Sequence, residues 1–179
     1  MRTLWALLGA AGGFEAKGDF AVAAYLPEWR YEGANWDVIC EHVSHLILFS
    51  CEMDPSGKIT ALDRLPRAEL FDEARTAAAK HGTKLLLCFG GNGRSNGFSG
   101  MVSSAKSRKR FLKALVKLLD KHGLDGVDYN WEYPGYDFRR GYLPEAEVRR
   151  ELLCEHALSY TWTPYVHFLF LSSGLPRRR

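Results

Sequence analysis

The chain has 179 residues, 46% hydrophobic and 25% charged, with a formal net charge of +3. This is ordinary for one soluble globular domain. The mild charge gives no argument for a nucleic-acid partner, and no run approaches the ~20 apolar residues of a membrane span. The cysteines Cys40, Cys51, Cys88 and Cys154 form no C-x-x-C pair, which argues against a zinc site.

At the start, Arg2 and the apolar, small-residue run Thr3–Ala11 resemble a short signal peptide, which would make the protein extracellular. The alternative is a disordered start. On this reading residues 1–19 are a leader or disordered, 20–150 form the domain and 151–179 are a tail. Phe20–Leu26 is a short apolar run stopped by Pro27, as for a buried strand. Pro27–Tyr31 is a loop rich in aromatics, including Trp29. Asn35 is placed to cap a short helix through Trp36, Val38 and Ile39. Ser44–Ser50 is a second strand, with His45 a structural histidine and Phe49 near its end.

Asp54–Gly57 reads as a turn. Pro66 fits the first turn of a helix, in which Leu70, Phe71, Ala74, Ala77 and Ala78 recur at helical spacing until Gly82. Lys84–Phe89 is continuous and apolar, as for a strand covered on both faces. Gly90 and Gly91 follow it and allow close approach of substrate or a neighbouring strand. The loop Asn92–Gly100 is glycine-rich without phosphate-loop spacing. Ser107 or a nearby serine caps a third helix, whose apolar stripe is Phe111, Leu112, Leu115, Leu118 and Leu119. Its basic residues, Arg108 to Lys117, read as a solvated face. Cys51 and Cys88 read as buried small apolar residues. Strands and helices therefore alternate, the pattern of a parallel α/β sheet.

The stretch Leu124–Pro134 carries the chemistry. Asp128, Asn130 and Glu132 are two residues apart, so on a strand they project from one face. Acids on a strand face make sense where that face opens into a wet mouth, and closely set acids raise one another's pKa until one can serve as a general acid. The bland alternative is an edge strand whose acids are merely solvated. Large residues at Val127, Tyr129 and Trp131 on the other face argue for burial there.

This segment resembles the signature of glycoside hydrolase family 18, the chitinases and chitinase-like lectins: D-G-x-D-x-D-x-E followed by Tyr-Pro. Asp125, Gly126, Asp128, Glu132, Tyr133 and Pro134 match, and Asn130 stands where the family has Asp. The likeness covers about residues 20–143, with Cys88 replacing the Ser of the family's S-x-G-G at the third strand. It implies a (β/α) TIM-type barrel, of which about the first four units are present. It also implies retaining hydrolysis of β-1,4-linked N-acetylglucosamine, assisted by the substrate's own acetamido group.

By the same resemblance Glu132 is the proton donor, Asn130 orients the acetamido group and Asp128 tunes both. Asp125 is structural, and Tyr25, Trp29, Phe49, Gly90, Gly91 and Tyr133 line the sugar site. The implied partner is chitin or a chito-oligosaccharide, and the resemblance implies no metal or other cofactor. The alternatives are a sugar-binding, lectin-like protein without turnover, or an inactive fragment. A full barrel needs roughly 250 residues, so the chain is read as a truncated gene model, a splice product or a half that pairs with another. Such a half is expected to leave an uncovered apolar interior.

Overall fold

In the computed structural model residues 21–132 are described, with the backbone of two short strands beyond them. The leader, Tyr133, the helix expected from Pro144 and the strand expected within Tyr160–Leu171 lie outside the described residues. The order is β1 (Ala23–Pro27), α1 (Trp36–His42), β2 (His45–Met53), β3 (Ile59–Thr60), α2 (Ala68–His81), β4 (Lys84–Gly90), α3 (Phe98–Ser103), α4 (Ala105–His122), β5 (Gly126–Asn130), β6 (Tyr136–Asp137) and β7 (Gly141–Tyr142). The strands β1, β2, β4 and β5 pair in that order, all parallel, and β3 adds antiparallel to the end of β2.

The register fixes which side chains look inward. Tyr25 pairs with Ile47, Ile47 with Leu86, and Cys88 with Asp128. Ile47, Leu86 and Cys88 form a small inner cluster with Ala23 and Phe49 against it. The alternate residues Leu46, Leu48, Leu85, Leu87, Phe89, Val127 and Tyr129 join the helices in the main core. Two buried faces explain why β4 is apolar without alternation. Ile47, Leu86 and Cys88 are fully buried, whereas Ala23 and Phe49 beside them are only partly buried.

Helix boundaries follow local chemistry. Asn35 Oδ1 accepts from the Val38 amide at 3.2 Å, the expected cap. Gly82 and Gly123 end α2 and α4 in the left-handed conformation, with φ of 69° and 62°. Ser104, not Ser107, caps α4, taking the amides of Lys106 and Ser107 at 3.2 and 3.4 Å. Ser107 is instead buried and donates to the Met101 carbonyl at 2.8 Å. Replacing Ser104 with Ala should lower the unfolding free energy by ~1 kcal/mol. A urea-denaturation midpoint identical to that of the parent chain would count against that cap.

The sequence reading is corrected in several places. The first strand starts at Ala23 rather than Phe20, and the second runs on to Met53. The Pro27–Tyr31 loop contains a 3-10 turn, Glu28–Arg30. Pro66 precedes α2, whose cap is Arg67, rather than sitting in its first turn. The glycine-rich loop closes early, because α3 begins at Phe98. Phe98, Met101 and Val102 are buried there, so tertiary packing overrides weak local propensity.

Candidate active site

The carboxyl ends of β1, β2, β4 and β5 lie side by side, and the polar residues singled out in the sequence meet there. Asp128 is 1% exposed. Its Oδ2 accepts from the Tyr25 hydroxyl at 2.9 Å, across 103 residues of chain. Cys88 stands directly opposite in the register. Burial raises the Asp128 pKa, and hydrogen bonding from Cys88 and Tyr25 opposes that rise without cancelling it. The Tyr25 and Cys88 pKa values are raised as well, first by burial and then by the Asp128 charge.

This has a consequence for stability. The native chain holds the Asp128 proton more tightly than the unfolded chain, so the stabilisation is complete below the ordinary aspartate value. It is lost as pH rises from there through the raised native value. Asp128→Asn should remove that slope. Unfolding free energies measured across this acidic window in both proteins check it, and parallel curves would contradict it.

Asn130 is the last residue of β5 and sits beside the two glycines. Gly90 and Gly91 have φ of +95° and +102°. A Cβ at Gly91 would lie 2.6 Å from the Phe49 ring and 3.6 Å from the Asn130 side-chain nitrogen. A Cβ at Gly90 would strike the Asn130 carbonyl and the Phe98 ring. Both positions therefore require glycine for backbone conformation and for space. Phe49 packs edge-on to Tyr25 with centroids 5.9 Å apart, and the Arg94 guanidinium lies over it at 5.1 Å.

Glu132 does not lie on the strand. β5 ends at Asn130, and Glu132 follows in a bend. Its charge adds a minor part to the raised Tyr25 pKa, after burial and Asp128. The Glu132 amide donates to Ser95 Oγ at 3.1 Å. Trp131 between them turns the other way and stacks on Phe98, with rings 5.1 Å apart and 9° from parallel.

Asp125 lies just before β5, at the opposite end from Asn130. It takes the Leu85 amide at 2.9 Å and the Lys84 ammonium at 3.1 Å, tying the start of β5 to β4. Tyr25 is 37% exposed, and Trp29, on the 3-10 turn, is 66% exposed. Tyr133 lies outside the described residues.

The structure adds residues that sequence reasoning did not single out. Arg94 bonds Glu28 at 2.7 Å and Ser50 Oγ at 3.1 Å, joining the loops after β1 and β4 to β2. Ser50 donates to the Gly90 carbonyl at 2.8 Å. These partners are tens of residues apart, so no local spacing announces them. His45 lies beside Ser44 Oγ, 2.8 Å from its Nδ1. Among the described residues no His, Cys, Asp and Glu group could hold a metal ion, and no helix is long and apolar enough to cross a membrane.

A parallel sheet with helices packed against it, and polar groups gathered at the strands' carboxyl ends, is the arrangement of part of a β/α barrel. The chain belongs to the glycosyl hydrolases family 18, whose model matches residues 21–157. The match thus runs past residue 143, where the motif likeness ends.

Among relatives, a chitinase-like effector of Moniliophthora perniciosa is 30% identical over 137 residues, covering 70% of this chain and 30% of the relative. Endochitinase 1 of Metarhizium anisopliae is 25% identical over 141 residues, covering 67% and 33%. The Group IV chitinase of Ostrinia furnacalis, solved with allosamidin, superposes with a TM-score of 0.69 at 21% identity, covering 84% of this chain and 43% of that one. A human pseudo-chitinase with retained chitooligosaccharide binding gives 0.53 at 25% identity, covering 65% and 34%. The chain spans about a third of the length of these curated relatives.

Proposed function

We propose that the chain carries the acid-bearing part of a chitinase-like glycosidase site acting on chitin or chito-oligosaccharides. The observation that carries this reading is the Tyr25–Asp128 hydrogen bond. It holds a buried carboxyl beneath Asn130, one bend away from Glu132. In this reading the acetamido oxygen of the substrate attacks the anomeric carbon, while Glu132 protonates the leaving oxygen and then activates water. The Asn130 amide oxygen accepts the acetamido N–H. Asp128 holds Asn130 and screens the developing positive charge. Tyr25, Phe49 and Trp29 offer aromatic faces to the sugar rings, with Tyr133 next to the acid. The apolar start of the chain supports secretion.

A second reading has its own observation. Asn130 cannot become an anion when the positive oxazolinium ion forms, which favours chito-oligosaccharide binding with little turnover. The two are separated by following chitotetraose with the purified chain, by calorimetry for binding and chromatography for products. Binding with cleavage supports the glycosidase, and binding without cleavage supports the second reading. No binding at all contradicts both.

A further inference from the structure

We propose that Ser95 is a positioning residue for Glu132, acting as a side-chain extension of the sheet just past the point where the strands end. The inference rests on the reading of Glu132 as the proton donor. The parallel ladder between β4 and β5 stops at the Gly90–Asn130 pair. There β4 turns away through two positive-φ glycines, Gly90 and Gly91. The Gly91 amide still reaches the Asn130 carbonyl at 2.7 Å. Beyond it the β4 backbone no longer runs beside β5, and a donor without a partner leaves its segment loosely held.

Ser95 supplies that partner. Its Oγ accepts the Glu132 amide at 3.1 Å. The Asn130 carbonyl at 3.2 Å and the Gly91 carbonyl at 3.1 Å both lie within reach of its single hydroxyl proton. One hydroxyl can accept and donate at once. It therefore clamps residues 130 and 132 from one side while Trp131 is stacked on Phe98 from the other. The loop that presents Ser95 is itself tied down. The Arg94 amide bonds the Gly91 carbonyl at 3.0 Å, and the Phe98 amide bonds the Ser95 carbonyl at 3.3 Å. The Arg94 guanidinium anchors the loop to Glu28 and Ser50. A general acid must stay within hydrogen-bond reach of the leaving oxygen, and small displacements of such a group cost rate steeply. Ser95 therefore acts on the reaction only through the placement of Glu132.

The test compares the chain with its Ser95→Ala and Ser95→Thr variants. Residue-resolved amide hydrogen exchange is read at Glu132, with Asp125 as the internal control because its amide bonds the Leu85 carbonyl at the far end of β5. In Ser95→Ala the Glu132 amide should exchange ~10-fold faster or more while Asp125 is unchanged. Hydrolysis of a chromogenic chito-oligosaccharide should lose ~10-fold or more in kcat with KM moving less than ~2-fold. Ser95→Thr keeps the hydroxyl and should restore both. Unchanged Glu132 exchange in a folded Ser95→Ala chain, or failure of Thr to restore it, overturns the clamp. So does a KM rise at constant kcat. If the parent chain cleaves no substrate, the functional reading fails, and the exchange measurement alone still decides whether Ser95 holds Glu132.

Discussion

Glu132→Gln is expected to cut chito-oligosaccharide hydrolysis by ~10²–10⁴-fold, the usual contribution of a positioned general acid. Gln keeps the volume and the carbonyl oxygen of Glu but has no acidic proton to give the leaving oxygen and no carboxylate to activate water. The backbone clamp on residue 132 involves the amide N–H, which the substitution leaves in place. Binding should therefore persist, with a dissociation constant within about 2-fold of the parent chain's if the loss is confined to the transition state. Parallel calorimetry and rate measurements on the two proteins check this. Undiminished turnover would assign the proton transfer to another group.

Asn130→Asp is expected to work in the opposite direction, raising kcat by ~10²–10³-fold, the size of one preorganised electrostatic partner. A carboxylate here would face the positive charge that develops on the substrate, where the amide can offer only a dipole. The surroundings are suited to it. Asp128 below is buried with a raised pKa, so a second carboxyl beside it could share one proton with it at rest. The gain belongs to kcat rather than KM, because the amide oxygen already makes the ground-state hydrogen bond. Equal kcat values, with folded content matched by circular dichroism, would show that the residue at 130 is not limiting.

Much of the fold was legible because its signals are local. Apolar runs bounded by Pro or Gly located the strands, and the left-handed glycines Gly82 and Gly123 ended two helices as expected. The family signature placed Asp128 and Asn130 on β5. What was not legible depends on contacts between distant residues. Two-residue spacing predicted Glu132 on the same strand, yet a strand needs a neighbour, and β4 departs at Gly90. The glycine-rich loop hid α3, whose helical form follows from burial of Phe98 and Met101 rather than from propensity. The ties of Arg94 to Glu28 and of Ser95 to Glu132 span 66 and 37 residues, beyond any reading of spacing.

The anomeric form of the first product tests most directly the proposal of substrate-assisted glycoside hydrolysis at this strand end. Proton NMR of chitotetraose during the first minutes of reaction with the purified chain should show new reducing ends as the β-anomer, with the α-anomer growing in only by later mutarotation. Initial α-anomer, or bound oligosaccharide with no new reducing ends, would contradict it.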